Sequence, residues 1–166
     1  LAWQGWTVEA AVLLIALALY AITLAPGIQP ADSGEFQLVL AEWGVAHPPG
    51  YALYSLLGGI FTHFFPAGTL ADRANLFSAL AGALTLAVLA RTIRQETGSG
   101  WAGAIAAGAL GAGTTFWTTA TQASIRPMTA LFTALMLEAA LSYRQASRED
   151  DHTSRQGALI RFGLAA

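Results

Sequence analysis

The hydrophobic pattern of the chain is dominated by long apolar stretches separated by short polar segments. A helix that crosses a bilayer needs about 20 apolar residues, with a range of about 17–25. The shortest stretch, 51–65, is bracketed by Pro48, Pro49 and Pro66. We therefore predict an all-α fold, a polytopic bundle of four transmembrane helices with a further helix on the membrane surface. The stretches are Val8–Leu24, Tyr51–Phe65 (the surface helix), Ala74–Ala90, Trp101–Ala120 and Met128–Tyr143.

The arginines favour the same topology. With stretch 51–65 on the surface, residues 25–73 form one connection on the side of Arg126. A five-span alternative divides the arginines in the same ratio, so their count alone does not decide between the two. Only the four-span arrangement places the N-terminus on the arginine-rich side, which is usually cytoplasmic. We therefore expect a multi-pass protein of the inner (plasma) membrane. The arginines on the cytoplasmic side would be Arg91, Arg94, Arg144, Arg148 and Arg155.

Composition supports a membrane protein and narrows its partners. Hydrophobic residues make up 55% of the 166 positions and charged residues 11%, against about 25% charged residues in soluble domains. The net charge of -2 and the lack of a basic cluster argue against nucleic acid as a partner, and membrane lipid is the expected surrounding. The chain begins at Leu1 and ends within an apolar stretch that opens at Gly157. We interpret residues 1–166 as one membrane domain, either a piece of a longer protein or the product of a shortened gene.

The connection 25–72 is the largest feature of the predicted outer face. It opens with the turn-forming residues Pro26, Gly27 and Pro30. Residues 33–42 then place their apolar side chains at helical spacing, as in a helix that lies in the interface plane. Compact proteins seldom carry so long a connection without a function. We therefore predict an external loop that contains surface helices.

Two carboxylates in this loop, Asp32 and Glu35, lie three residues apart and upstream of His47. The simplest interpretation is a helix cap, because acidic residues stabilise the first turn of a helix. The functional interpretation rests on a second expectation. The threonines of 114–121 and Arg126 are predicted to reach the same membrane face as Asp32, Glu35 and His47. A carboxylate can accept a proton from an attacking hydroxyl, and arginine binds phosphate through paired hydrogen bonds. The threonine hydroxyls can instead bond backbone carbonyls within their own helix.

The same motifs resemble those of the GT-C superfamily of membrane glycosyltransferases, in the bacterial branch related to protein O-mannosyltransferases. Order and spacing match from about Val8 to Leu135. Two positions depart from the family pattern: Ser124-Ile-Arg126 replaces an acidic-aliphatic-tyrosine run, and Ala52 replaces a proline. The matching blocks are Ala31-Asp-Ser-Gly-Glu35, Ala46-His-Pro-Pro-Gly-Tyr51 with Leu53-Tyr54, and Arg73-Ala-Asn-Leu-Phe-Ser-Ala79.

The resemblance implies transfer of a sugar from a polyprenyl-phosphate donor to a hydroxyl acceptor at the outer membrane face. It implies that Asp32 is the catalytic carboxylate, with Glu35 beside it. A lipid-linked sugar donor is the expected partner. Cofactors are left open, because the ligand spacing supports no divalent metal. The candidate substrate-binding residues are His47, Tyr51, Arg73 and Arg126.

The length of the chain leaves a second hypothesis. Members of the family run to several hundred residues, so we expect the 166 residues to be inactive alone. The alternative is a truncated, catalytically inactive homologue that serves as a structural subunit of a larger membrane protein complex. The departures at Ser124 and Arg126 favour this alternative, whereas Asp32, Glu35 and the His47-Pro-Pro-Gly-Tyr51 block oppose it.

Overall fold

The computed structural model describes residues 4–148 and 152–166, with the side chains described from residue 7 onward. These residues form eight α-helices and no strand, so the predicted all-α helix bundle is confirmed. The helices are α1 (Gln4–Ile22), α2 (Ala31–Glu42), α3 (Ala52–Phe64), α4 (Leu70–Thr97), α5 (Gly100–Gly111), α6 (Thr114–Ala120), α7 (Ile125–Arg148) and α8 (His152–Ala165).

Helix α4 is the axis of the bundle, and strong signals mark both of its ends. At the start, the Thr69 hydroxyl accepts from the Asp72 backbone N–H (3.2 Å), and the Asp72 carboxylate accepts from the Thr69 N–H (2.9 Å). This reciprocal capping box satisfies two backbone donors that a helix start leaves free. At the end, Gly98 takes the left-handed conformation (φ 71°) that commonly terminates helices. Helices α1, α2, α3, α5, α6 and α7 all pack against α4.

Small residues let α5 approach α4 closely. Gly103, Ala107 and Gly111 recur every four residues, a spacing that lets helix backbones approach closely, and all three are buried. A Cβ added at Gly103 would overlap the carbonyl oxygen of Ala90, and one at Gly111 would lie 2.6 Å from Leu86 Cδ1.

The predicted span Trp101–Ala120 is interrupted, and this part of the prediction is wrong. Helix α5 ends at Gly111 and α6 begins at Thr114. The hydroxyl of Tyr20 donates to the Gly111 carbonyl (3.0 Å), which a continuous helix would pair with the N–H four residues on. Glycine is also the weakest helix former after proline. The break therefore follows from a tertiary hydrogen bond at a position of low helix propensity.

Chemically different groups lie at the two ends of the bundle. At one end the Asn75 side chain donates to the Ala25 carbonyl (2.9 Å), and Ala25 N–H donates to the Thr121 carbonyl (2.8 Å). At the other end Glu9 pairs with Arg94 (2.7 Å). We call these the loop end and the ion-pair end.

Helix α3 lies with α2 at the loop end, against the first turns of α4. The Tyr54 and Phe77 rings are 5.6 Å apart, and Arg73 Nη1 donates to the Thr62 carbonyl (3.2 Å). At about 1.5 Å rise per residue, its 13 residues are too short to cross a bilayer. By length and composition, α4 and α7 are the two described helices that could do so. The total of four spans stays a prediction.

Candidate functional site

A polar cavity of about 360 Å³ opens at the loop end of the bundle. Its volume lies within the range of about 300–1,000 Å³ that small-molecule sites occupy. Three segments form its walls: the start of α2, the turn before α3, and the connection between α6 and α7. The cavity gathers four of the six residues predicted for the site, namely Asp32, His47, Tyr51 and Arg126.

Asp32 lies in the first turn of α2, and its exposed side chain lines the cavity. The helix begins after Pro30, and no side chain caps its N-terminus. The interpretation of Asp32 and Glu35 as a capping arrangement is therefore wrong. A carboxylate this close to a helix start is stabilised by the positive end of the helix dipole. The Asp32 oxygens have no hydrogen-bond donor among the described residues, which leaves them available to a ligand.

Glu35 does not line the cavity but holds His47 at two points. Its carboxylate accepts from the His47 backbone N–H (2.6 Å) and contacts His47 Nδ1 (2.9 Å). The backbone hydrogen bond first, and the side-chain bond second, lower the pKa of Glu35 below its ordinary value. Glu35 is therefore ionised at neutral pH. With Nδ1 bound to Glu35, Nε2 is the ring nitrogen of His47 that remains for a ligand in the cavity.

Aromatic rings fix the position of His47 and Tyr51. The centroid of the His47 ring lies 5.5 Å from that of Tyr51 and 5.9 Å from that of Phe36. Tyr51 has a left-handed backbone (φ 46°) and precedes the first residue of α3. Such a conformation is unfavourable for a residue with a side chain and is often found at functional sites. Here the residue with this conformation is a tyrosine that lines the cavity.

Asn75 of α4 joins two walls of the cavity, a role that the sequence analysis missed. Its side chain is fully buried. The Oδ1 atom accepts from the Gln37 side chain (2.9 Å) and from the Ala123 N–H (2.8 Å), while Nδ2 donates to the Ala25 carbonyl (2.9 Å). A polar side chain inside a predicted apolar span was the signal that could have identified it, since such groups bond to neighbouring helices.

Ser78, one helical turn after Asn75, binds the wall of the cavity that connects α6 and α7. Its hydroxyl donates to the Ser124 carbonyl (3.2 Å) and accepts from the Ser124 N–H (3.0 Å). Both residues belong to the Arg73–Ala79 block. The polar positions of this block therefore position the segment that carries Arg126.

The two candidate arginines lie in different surroundings. Arg126 is exposed, lines the cavity, and its guanidinium has no hydrogen-bond or ion-pair partner among the described residues. Arg73 instead donates to the carbonyls of Thr62, Ala67 and Gly68, each at 3.2 Å. The structure therefore brings Arg126 to the cavity and places Arg73 at the end of α3, where it joins α3 to α4.

The threonines of α6 have the structural role that the sequence allowed. The hydroxyls of Thr118 and Thr119, and of Thr121 directly after the helix, each donate to a backbone carbonyl three or four residues earlier. Within the described part of the chain, no group of three or more His, Cys, Asp or Glu side chains could hold a metal ion.

Comparisons with known proteins agree with the resemblance of the motifs. The profile of the protein O-mannosyl-transferase TMEM260 N-terminal domain matches residues 32–165. The chain is 31% identical over 147 residues to the protein O-mannosyl-transferase TMEM260 of Mus musculus, a match that covers 87% of this chain and 21% of that protein. It is 30% identical over 121 residues to the tmem260 protein of Dictyostelium discoideum, covering 72% of this chain and 15% of that protein.

The chain thus spans about a fifth or less of the length of these relatives. No solved structure matches it. The matched segment contains every residue predicted for the site, from Asp32 to Arg126. The chain belongs to the family of the protein O-mannosyl-transferase TMEM260 N-terminal domain.

Proposed function

We propose that the polar cavity is the place where a sugar passes from a polyprenyl-phosphate donor to a hydroxyl acceptor. The observation that carries this proposal is the meeting, in one cavity, of the Asp32 carboxylate and the unpaired Arg126 guanidinium. A sugar-transfer reaction needs a proton acceptor for the hydroxyl and a cation for the phosphate. The names of the relatives, which are protein O-mannosyl-transferases, support the same class of reaction.

The proposed chemistry assigns one role to each group. Asp32 accepts the proton of the acceptor hydroxyl while the hydroxyl oxygen forms a bond to the anomeric carbon. The bond between that carbon and the phosphate oxygen breaks, and its electron pair stays on the phosphate. The phosphate changes from a diester with one negative charge to a monoester with two, and Arg126 binds the charge that develops. His47 Nε2 and the Tyr51 hydroxyl bind substrate hydroxyls, and Glu35 keeps His47 in place.

The proposed orientation puts the cavity at the outer membrane face. The ion-pair end of the bundle carries most of the arginines, and arginine-rich ends usually face the cytoplasm. The N-terminus would then be cytoplasmic, with four spans in the inner (plasma) membrane. The polyprenyl-phosphate donor would reach the cavity from the outer leaflet, beside the surface helices α2 and α3.

The Asp32→Asn variant tests the catalytic role in the full-length protein. The amide cannot take the proton, and general-base help is typically worth about 10²–10⁴ in rate. We expect transfer from a lipid-linked sugar to fall by that factor while the melting temperature stays unchanged. Glu42→Gln is the matched control, because Glu42 is an exposed carboxylate of the same helix that does not line the cavity. Equal activity of Asp32→Asn and the parent protein refutes the assignment.

The structural-subunit alternative has one observation in its favour. Ser124 lines the cavity at the position where the resembled glycosyltransferases carry an acidic residue. If the full-length parent protein transfers no sugar and is purified with other membrane proteins in a fixed ratio, the subunit function is correct and the transferase function is wrong.

A further inference from the structure

The connection between α6 and α7 carries one polar side chain that the proposed chemistry leaves unused. Gln122 lies in this connection, between Ala120 at the end of α6 and Ile125 at the start of α7. It is half-buried and lines the polar cavity. Its side-chain amide has no hydrogen-bond partner among the described residues. An amide offers two donor hydrogens and an acceptor oxygen, so the hydrogen bonds of Gln122 remain available to a molecule in the cavity.

The backbone on both sides of Gln122 is fixed by hydrogen bonds. The Thr121 carbonyl accepts from the Ala25 N–H (2.8 Å), and the Ala123 N–H donates to Asn75 Oδ1 (2.8 Å). Gln122 is therefore held between two anchored residues, although it lies outside the helices. Ordering a binding residue before the ligand arrives lowers the entropic cost of binding. The connection thus presents the Gln122 amide from a preorganised backbone.

A second glutamine of the cavity has a structural role and makes a useful comparison. Gln29 also lines the cavity, but its Nε2 donates to the Pro26 carbonyl (2.8 Å). Its backbone N–H donates to Gln37 Oε1 (2.9 Å). These bonds hold the turn before α2. Nε2 of Gln29 is therefore bonded within the protein, whereas neither polar atom of the Gln122 side chain has a partner in the part of the chain that the structure describes.

Neutral polar groups also line the other two walls of the cavity. Ser33, in the first turn of α2, is 7% exposed, and its hydroxyl has no hydrogen-bond partner among the described residues. Buried hydroxyls nearly always have such a partner. His47 and Tyr51 belong to the wall formed by the turn before α3. Neutral donors and acceptors on three walls are complementary to a ring that carries hydroxyl groups around its edge, which is the chemistry of a sugar.

We propose that Gln122 is a specificity-determining residue, whose amide binds one hydroxyl of the sugar ring. This inference rests on the proposed function, which supplies the sugar as the ligand. A site that hydrogen-bonds a substrate hydroxyl rejects an analogue without it, because the polar group of the protein is then left unpaired. Gln122 therefore sets which hydroxyl the sugar must carry. It binds the ring and takes no part in the proton transfer that we assign to Asp32.

The test measures sugar binding by the full-length protein in lipid nanodiscs. The relatives are protein O-mannosyl-transferases, so the probes are methyl α-mannoside and its analogues that lack the hydroxyl at C2, C3, C4 or C6. Dissociation constants are obtained by saturation-transfer NMR titration. In the parent protein we expect at least one analogue to bind about tenfold more weakly than methyl α-mannoside, the effect of one lost hydrogen bond. In Gln122→Met, methyl α-mannoside should bind as weakly as that analogue, with the differences for the other analogues retained.

Gln95→Met is the matched control. Gln95 is an exposed glutamine of α4 at the ion-pair end, so the same substitution should leave every dissociation constant unchanged. The melting temperature of Gln122→Met should equal that of the parent protein, because the substitution removes no hydrogen bond within the described part of the chain. If Gln122→Met does not fold, Gln122→Asn serves in its place. It keeps the amide but withdraws it by one methylene group, and the same loss of discrimination is expected.

Three outcomes would overturn the proposal. Gln122→Met could weaken the binding of all the sugars by one common factor, which would indicate a structural role. It could leave all the dissociation constants unchanged, or the parent protein could bind none of the sugars. The probes cannot act as donors, so binding is independent of transfer. Sugar binding that depends on Gln122 in a protein without transfer activity retains the sugar site and removes the proposed function. Transfer with a sugar preference that Gln122→Met does not alter does the reverse.

Discussion

The Glu35–His47 pair shows how single residues assemble the candidate site. One carboxylate of α2 holds both the backbone and the ring of a residue twelve positions later. These two contacts with Glu35 restrict both the position of His47 and the orientation of its ring. Because His47 precedes the turn that leads into α3, the pair also sets how this turn lies against α2. The Tyr51 ring, which contacts His47, depends on the same pair.

We predict that this pair loosens as the pH falls. Because the pKa of Glu35 is lowered in the folded protein, its contribution to stability is present above the unfolded pKa, about 4.3, and is lost as pH falls through the folded pKa. The His47 amide proton should therefore move upfield in NMR spectra over this acidic range. In Glu35→Gln it should show no such step, whereas Glu42→Gln should behave like the parent protein. A step that persists in Glu35→Gln would contradict the assignment.

The sequence located most of the candidate site but not its connections. The apolar stretches, together with the prolines that bracket stretch 51–65, were enough to predict Asp32, His47 and Arg126 at the same end of the bundle. The cap interpretation failed because Pro30 sets the start of α2 without a side-chain acceptor. The surroundings of Arg73 could not be predicted from the sequence either, because its three carbonyl partners lie in the end of α3 and the turn after it. Such partners depend on how α3 folds back on α4.

At the scale of the helices, the close contact between α4 and α5 determines how the bundle packs. The backbone of α5 rests on α4 at Gly103, next to the Ala90 carbonyl. Gly108 belongs to the same helix but faces open space, with no atom within 4 Å of an added Cβ. The two glycines therefore differ in tertiary surroundings and share the same secondary structure.

We predict opposite effects for alanine at these two glycines. Gly103→Ala should destabilise the protein by about 1–3 kcal/mol, because a methyl group there overlaps backbone that cannot move alone. Gly108→Ala should stabilise it by about 0.5–1 kcal/mol, because alanine favours the helical backbone. Thermal unfolding in one detergent would compare the two variants with the parent protein. Equal melting temperatures for the two variants would show that α5 does not approach α4 in this way.

The break between α5 and α6 marks the limit of pattern-based prediction for the elements. Apolar residues continue from Trp101 to Ala120 without a proline, so hydropathy predicts one helix. The interruption depends on a hydroxyl of α1, that of Tyr20, which lies 91 positions before its acceptor Gly111. No periodicity within α5 contains that information. The same hydrogen bond lies beside the Tyr20–Trp117 ring contact (5.1 Å), which ties α6 to α1.

At the scale of the whole molecule, the ion-pair end contrasts with the loop end. Glu138 is 6% exposed and pairs with Arg161 (3.2 Å) and Arg91 (3.6 Å). Glu96 pairs with Arg144 in the same region (2.5 Å). The Asn75 hydrogen bonds at the loop end use neutral groups only. Segments rich in arginine usually lie on the cytoplasmic side of a membrane.

We predict that this asymmetry fixes the orientation in the membrane. The chain contains no cysteine, so single cysteines can report on one position at a time. Cysteines at Ser55 and His63, near the two ends of α3, should both react with an impermeant maleimide from outside intact cells. A cysteine at Ser147, near the end of α7, should react only after permeabilisation. Labelling of positions 55 and 63 from opposite sides would make α3 a fifth span, and labelling of position 147 from outside would invert the protein. The first result would place Asp32 and Arg126 on opposite sides of the membrane. The second would open the cavity that they share on the side opposite to the leaflet in which we place the donor lipid.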